Sequence, residues 1–542
     1  MATKKSSNNF LVQGGLLAFA SIFVRFIGLL YRIPLNNIIG DEGMGYYSSA
    51  YLIYNIALLI SSYSLPLAVS KLVASRIITK QYKNSFRIFV AALVAGAIVG
   101  LVASLIVFFG ADFFAINVLQ SPRTAIPLRV LSPTIFVFSI MGVFRGFFQG
   151  NNSMIQTSIS QIIEQIFNAI VTLIASYYLM RQFSLSIDSA AYGAAGATLG
   201  TLLGAVAALG FLVFVFFLNW NYIKRKVNND PTTYVDTYSA IMKMLAITVV
   251  PVILSQTVYQ LSGVLDTSIF QHVMTNLGYS EAERNSLLGI YSNKFNLLTK
   301  LPVSVATAMA TAIVPSIVTS KTNGMMMEVK KKINLGVKSN MMIAFPSAVG
   351  LSVLASPILQ LLFGDSRELP AKMFQVGSIA IVFFTYSTIT NGVLQGLDKM
   401  HRPVIHSTIA LVIHTIILYV LLEYAKIGIF ALVLGNIIFP LIVCVINWIY
   451  IKRLLDYNQE IRKTFVIPLI SSIIMGVIAW LVYKGMYIVT SMNSISTIIS
   501  LFAAIIVYFA FLLLLKGVTE DELYQIPKGT LLIKVAKKLR LL

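Results

Sequence analysis

The chain has 542 residues, of which 57% are hydrophobic and only 11% charged, against roughly 45–50% and about 25% in soluble domains; a soluble globular protein is excluded. The net charge of +21 would suit nucleic acid, but the basic residues sit on alternate breaks between apolar runs, which is the pattern of a membrane protein and not of a nucleic-acid surface. A single cysteine, Cys444, excludes an intrachain disulfide and a cysteine metal cluster, and four histidines without HExxH or CxxC leave no metal motif.

Apolar runs of the length that crosses about 30 Å of hydrocarbon, roughly 20 residues, recur at 10–35, 44–78, 86–110, 124–149, 153–180, 188–220, 238–272, 284–318, 335–361, 371–396, 403–424, 428–452, 463–486 and 493–516. The expected fold is all-α and polytopic, with fourteen transmembrane helices and no large soluble domain. "MATKKSSNNF" resembles the start of a signal peptide, but the run behind it is long, carries arginine and lacks a small-residue cleavage site, so it reads as a retained first helix. With the N-terminus inside, the cytoplasmic breaks hold Arg76, Lys80, Lys83 and Arg87, then Lys224 to Lys226, Lys330 to Lys332, Lys452 and Arg453, and the tail Lys534 to Arg540. The opposite breaks hold Asp41, Glu42, Asp112, Glu281, Glu283, Asp365 and Glu368. One miscounted span would scramble this alternation, which places both termini in the cytoplasm and the basic runs at lipid headgroups.

The first helix carries "SIFVRFIGLLYRIPL". Arg25 and Arg32 are two turns apart, so they differ by only about 20° around the axis and about 10 Å along it, with Gly28 between them on nearly the same face. A charge at the bilayer centre costs at least ~2.5–3.5 kcal/mol and normally faces a partner or a wet cavity. Arg25 is too deep to reach water easily and is read as a cavity residue; Arg32 either shares the cavity or snorkels to the outer interface. Arg145, ending the fourth helix, reads as a cap or headgroup contact, and Glu164 in the fifth as a polar helix contact. Asp266 of the seventh either pairs with Lys294 or Lys300 of the eighth or, with Asn391 or Asp398, coordinates a coupling cation. Lys294 and Lys300 lie in "YSNKFNLLTKLPVSV" and are candidates for a positive substrate-binding patch, Lys294 alternatively reaching water at the outer end. Arg25, Arg32, Lys294 and Lys300 against Asp266 leave the interior positive, a poor host for an organic cation and a good one for a compact phosphate-like anion.

An internal repeat is visible by eye. "RGFFQGNNSMIQTSISQII" from Arg145 lines up with "NGVLQGLDKMHRPVIHSTI" from Asn391, and "SLPLAVSKLVAS" echoes "KLPVSVATAMAT" at Leu65-Pro66 and Leu301-Pro302. Two six-helix halves follow, and because six is even both enter from the cytoplasm, a parallel repeat suited to alternating access. The expected division is an N-lobe at 1–226, a C-lobe at 227–455, two appended helices at 456–516 and a basic cytoplasmic tail at 517–542.

The run from Arg25 and Gly28 through "YRIPLNNIIGDEGMGYY", then "LPLAVSKLVASR", then "RGFFQG", resembles the SpoVB/YtgP-like polysaccharide biosynthesis proteins, relatives of the MurJ lipid II flippases in the multidrug/oligosaccharidyl-lipid/polysaccharide exporter superfamily. The resemblance implies a non-enzymatic flippase of the bacterial cytoplasmic membrane. Its cargo would be an undecaprenyl-pyrophosphate-linked precursor, lipid II first and another polyprenyl-linked glycan second, with a cation-coupled multidrug antiporter as the more distant alternative. It further implies that Arg25 and Lys294 match required basic residues, that Asp266 matches a sodium-site aspartate, and that the last two helices form a groove for the lipid tail. The sequence departs from the MurJ pattern in the second span, where "YLIYNIALLISSYSLP" has no basic residue before Lys71; Lys300 is the candidate to compensate. No cofactor is expected beyond a coupling cation, Na+ or H+, or the membrane potential, and the expected partners are the lipid-linked glycan, membrane lipids and wall-synthesis machinery.

Overall fold

The structure is a computed structural model that describes residues 2–232 and 234–518. The described elements are helices, and among the described residues there is no strand. The principal ones are α1 (Ala2–Leu58), α2 (Leu65–Ile78), α3 (Tyr82–Phe109), α4 (Pro133–Gly150), α5 (Ile155–Gln182), α6 (Ser189–Leu218), α7 (Trp220–Asn228), α8 (Tyr238–Asn276), α9 (Glu281–Gly289), α10 (Asn296–Thr322), α11 (Met326–Val353), α12 (Ala355–Phe363), α13 (Glu368–Gly377), α14 (Ala380–Gly396), α15 (His401–Glu423), α16 (Phe430–Leu455), α17 (Ile467–Thr490) and α18 (Asn493–Leu514). This is the form hydrocarbon demands, because a helix satisfies its own backbone polar groups where no water can. Pro34, Pro302, Pro315, Pro346 and Pro440 lie inside helices, a placement that neighbouring helices make tolerable in a membrane.

The molecule is a polytopic helical membrane protein. Among the described residues, ten helices are long and apolar enough to cross a membrane, or twelve if the bent pairs α11 with α12 and α13 with α14 each count as one span. The expected fourteen is not reached by that measure. The first two expected spans fall in one run, Phe23–Ile78, of 56 residues, and of the seventh only Tyr238–Val250 registers, as a shorter apolar helix. Yet α1 is not one rod. Gly40 has φ 68 and ψ 179, a conformation open to glycine and strained for other residues, and the hydroxyls of Tyr31 and Tyr47 lie 3.4 Å apart although 16 residues separate them. In a straight helix that separation would be about 24 Å at 1.5 Å per residue, so the chain bends sharply at Gly40 and brings its two arms into side-chain contact.

Two compact units result, Met1–Asn293 and Lys294–Leu542. The break comes later than the 226/227 lobe boundary expected from the repeat, because α9 packs into the first unit. A Cβ on Gly45 would enter the backbone of Asn285, and one on Gly289 the carbonyl of Asp41, so the second arm of α1 and α9 touch backbone to backbone. In the same unit, Gly196, Gly200 and Gly204 form one face of α6 against Ala175, Thr172 and Asn168 of α5, the small-residue packing by which membrane helices gain dispersion contact. An aromatic cluster, Phe89, Phe144, Phe147 and Phe216, fills the space between α3, α4 and α6. The segment before α8 is tied to the start of α3 and the end of α2: Asp236 pairs with Arg76 at 2.8 Å, and Arg87 donates to the Asp236 carbonyl at 3.1 Å. Part of the basic break thus binds protein in addition to its expected place at the headgroups.

The second unit is built around Ile317, Ile333, Val337, Met341, Ile389 and Val393, where α10, α11 and α14 meet. The repeated glycines have equivalent surroundings in the two units. Gly146 and Gly150 of α4 abut Pro66, Val69 and Val73 of α2, while Gly392 and Gly396 of α14 abut Ala310, Val314 and Ile317 of α10. The repeat seen in the sequence is therefore a repeat of helix crossings, in which a side chain on the glycine would push two helices apart. The two final helices, α17 and α18, join through Ser500, whose hydroxyl donates to the Ala479 carbonyl at 2.5 Å. The expected basic tail lies, from residue 519 onward, outside the described residues.

Candidate functional site

The first unit gives Arg25 and Arg32 different surroundings. Arg25 is exposed on the first arm of α1, and a Cβ on Gly28, one turn further, would lie 3.3 Å from Nε2 of Gln165 on α5. Arg32 is partly buried because the bend at Gly40 brings the second arm beside it. Its guanidinium carbon lies 5.9 Å from the centroid of the Tyr47 ring, within cation–π range. Neither arginine has an ion pair among the described residues.

Tyr47 begins a ladder. Tyr47, Tyr51 and Tyr54 recur at the spacing of one helix face, with ring centroids 4.6 Å apart for the first pair and 5.4 Å for the second. The Tyr51 hydroxyl bonds Thr201 Oγ1, whose hydroxyl in turn lies 3.4 Å from Asn168 Oδ1 on α5; Thr172 donates to the same oxygen at 3.0 Å. Further along α5, Glu164 accepts from Arg145 Nη2 at 2.7 Å, and Arg145 Nε donates to Ser160 at 3.0 Å. Arg145 thus has a carboxylate partner inside the protein, where the expectation was a cap or a headgroup contact, and Glu164 is the polar contact expected of it. Sequence reasoning passed over the tyrosines, although "YYSSAYLIY" displays their helical spacing. Nothing in the sequence alone shows that they lie beside Arg32.

In the second unit Lys294 is among the largest fully buried side chains, 2% exposed. It stands in a π-helical turn, Ile290–Phe295, and its Nζ donates to Asp365 Oδ2 at 2.7 Å. Asp365 follows Gly364, whose φ of 64 ends α12, and it also accepts from the guanidinium of Arg367 at 2.6 Å and 2.9 Å. Burial alone would raise its pKa, but the hydrogen bonds from Arg367 and Lys294 outweigh burial and hold the carboxyl well below the usual carboxylate range. Lys300, six residues further along, is exposed.

The expected cation ligands have different settings. Asp266 is half-buried on α8 of the first unit. In the second unit Asp398 is exposed at a left-handed turn, φ 62, just beyond α14. Asn391 belongs to a buried polar knot: Asn447 Nδ2 donates to Asn391 Oδ1 at 2.9 Å and to Thr390 Oγ1 at 2.9 Å, while Asn447 Oδ1 lies 2.7 Å from His406 Nδ1. Because both amide hydrogens are committed, Asn447 Oδ1 accepts and His406 Nδ1 carries the proton. Among the described residues, no group of three or more His, Cys, Asp or Glu is placed to hold a metal ion. Replacing Asn447 by alanine takes the acceptor from His406 Nδ1 in a buried setting, while Thr390 keeps its bonds to the Tyr386 and Ser387 carbonyls; the loss costs about 1–3 kcal/mol, thermal unfolding of the detergent-solubilised protein will show the drop, and a variant as stable as the parent would mean that the knot adds nothing.

The family model described as "Polysaccharide biosynthesis protein" matches residues 11–321. Among characterised proteins, "Lipid II flippase MurJ" of Bacillus subtilis (strain 168) is 28% identical over 480 residues, covering 85% of this chain and 86% of that protein. "Stage V sporulation protein B" of the same organism is 23% identical and covers 96% of this chain and 98% of its own. Two solved structures share the fold. One is "Lipid II flippase MurJ, inward closed conformation", with a TM-score of 0.67 at 17% identity over 92% of this chain and 97% of that one. The other is an inward-facing MATE family multidrug resistance transporter of the MOP superfamily, with a TM-score of 0.62 at 16% identity over 80% and 94%.

Proposed function

Because the chain belongs to the polysaccharide biosynthesis protein family, we propose that it is a flippase for an undecaprenyl-pyrophosphate-linked glycan precursor, lipid II in the first place, working in the bacterial cytoplasmic membrane with both termini inside. The observation that carries this reading is Arg32, a partly buried guanidinium beside an aromatic ladder with no ion pair among the described residues. A charge so placed calls for an external anion, and a guanidinium suits phosphate oxygens, to which it can donate two parallel hydrogen bonds. Arg25 lies on the same stripe, and we assign it to the path of the headgroup along α1. In the second unit Lys294, bonded to Asp365, and Lys300 are the further basic candidates for the cargo's headgroup. Neutralising the pyrophosphate removes the main barrier to its passage through hydrocarbon, and an inside-negative potential favours outward movement of an anion by about 2.3 kcal/mol per charge per 100 mV. A coupling cation, Na+ or H+, at Asp266, Asn391 or Asp398 is the alternative energy source.

A multidrug antiporter shares the fold, but an organic cation would meet the unneutralised Arg32 as a repelling charge. A flippase for a different polyprenyl-linked glycan shares every physical feature above, and it is separated only by the sugars. Expression in a strain depleted of its own lipid II flippase decides between them: growth is restored and accumulated lipid II disappears if the cargo is lipid II. Persistent lipid II accumulation, with the protein present in the membrane, assigns it another glycan.

A further inference from the structure

We propose that Arg402, stacked on Tyr450, is a binding site for the phosphate of an anionic phospholipid, at the end of α15 and α16 that lies on the cytoplasmic side in the orientation given above. Both residues belong to the second unit. The guanidinium carbon of Arg402 lies 4.9 Å from the centroid of the Tyr450 ring, within cation–π range. Among the described residues no acceptor faces that side chain: its Nε is buried without a hydrogen-bond partner, and no ion pair or hydrogen bond reaches its terminal nitrogens. Arg76, Arg123 and Arg145, by contrast, each meet a carboxylate within 2.8 Å. The position sharpens the need. Arg402 is the second residue of α15, where the helix dipole repels a cation and favours an anion, so partial burial and the dipole both act against the guanidinium until an anion joins it. Asp398, the nearest carboxylate in the sequence, is exposed at its left-handed turn and forms no ion pair among the described residues.

Tyr450 is a fixed platform. Its ring centroid lies 5.4 Å from that of His406, and His406 Nδ1 lies 2.7 Å from Asn447 Oδ1 in the buried knot between α15 and α16. The Tyr450 hydroxyl has no partner among the described residues and adds a neutral donor to the guanidinium fork, which matches phosphate oxygens bidentately. What surrounds the pair points to a lipid over a soluble anion. α16 is an apolar span of 26 residues, so its final turn reaches out of the hydrocarbon. There Lys452 Nζ stands 5.6 Å from the centroid of the Trp448 ring, and tryptophan and tyrosine together mark the headgroup level. Deeper in, Val445 and Ile449 of α16 and Ile405 and Ile409 of α15 are exposed, an apolar flank for acyl chains. Lys452 and Arg453, both exposed, add charge of the sign that draws anionic lipids. A phosphodiester carried on two acyl chains answers the charge and the apolar flank at once; a soluble phosphate answers only the first.

The test follows the thermal unfolding midpoint of the purified full-length protein in dodecyl maltoside as phosphatidylglycerol is added, with diacylglycerol as the phosphate-free control; a lipid that binds the folded state raises the midpoint as its concentration passes its Kd. The parent is expected to respond to phosphatidylglycerol and not to diacylglycerol. Arg402→Gln is expected to need about tenfold more phosphatidylglycerol for the same rise, the worth of one hydrogen bond to a charged group. Lys224→Gln, which removes an exposed cation of α7, is expected to respond as the parent does. An equal loss in both variants would mean that diffuse charge attracts the lipid, and it overturns the proposal, as does a parent that gives no response. So does an equal rise with inorganic phosphate at the same concentration, or a rise with undecaprenyl pyrophosphate alone, which would give the site to the cargo. Should Arg402→Gln fail to fold, Arg402→Lys keeps the charge without the fork; several-fold weaker binding is expected of it, and parent-like affinity overturns the idea. Transport enters none of these measurements, so the flippase reading stands or falls separately.

Discussion

Arg32→Ala is expected to lower transport of an undecaprenyl-pyrophosphate lipid about ten- to a hundredfold, the worth of the ~1.5–3 kcal/mol hydrogen bonds that a guanidinium makes to an anion, while leaving the protein folded. The asymmetry follows from its surroundings. Arg32 has no ion pair among the described residues, so alanine orphans no carboxylate; it gives up a hydrogen bond with Tyr31 and a cation–π contact with Tyr47, the latter worth about 0.5–1 kcal/mol. Arg32→Lys keeps the charge but loses the planar fork and is expected to retain an intermediate rate. Reconstituted vesicles and a thermal unfolding curve measured on the same preparation provide the check; full transport by a folded Arg32→Ala protein would remove Arg32 from the site. Arg25→Ala in parallel ranks the two arginines, and the proposed headgroup path predicts that it abolishes transport without affecting insertion.

The second large effect concerns the fold. Gly45→Ala and Gly289→Ala each place a methyl group against main chain, Asn285 in one case and Asp41 in the other. Main chain inside a helix cannot swing aside as a side-chain tip does, so the second arm of α1 and α9 must separate. Overpacking of this kind costs about 1–3 kcal/mol and occasionally more. The double variant is expected to cost less than the sum of the singles, because both methyl groups strain one helix contact and the first separation makes room for the second. Gly210→Ala and Gly485→Ala are the controls: nothing lies within 4 Å of either Cβ position, and alanine in a helix interior is favoured over glycine by about 0.8–1.0 kcal/mol. Unfolding midpoints that fall for the first pair and hold or rise for the second fit the contact described. A parent-like midpoint for Gly289→Ala would mean that the two helices are not in backbone contact.

Much of the architecture was legible because a bilayer leaves few choices. Runs such as "ALVAGAIVGLVASLIVFF" can only be helices in hydrocarbon, and this one is α3. The repeated "QG" of Gln149-Gly150 and Gln395-Gly396 was legible too, since close helix packing demands glycine wherever it recurs, and both glycines sit at such crossings. The count of spans was less secure. Hydropathy cannot tell a long helix from two arms joined at a bend, and at Gly40 the bend is shown by the glycine's own φ and ψ and by the contacts of Tyr31 and Arg32 with Tyr47.

What the sequence determined by itself is the class of molecule. Composition forces the chain into the membrane and periodicity forces it into helices, with cations such as Arg32, Arg145 and Lys294 standing within apolar runs, properties carried by residue type and spacing along a single segment. Which of those cations is neutralised was decided by tertiary structure alone. Lys294 meets Asp365 across 71 residues and Arg145 meets Glu164 across 19, whereas Arg32 meets the Tyr47 ring and no carboxylate partner is described for it. A charge's worth depends on what lies within a few ångströms of it, and residues that distant along the chain become neighbours only when the helices pack.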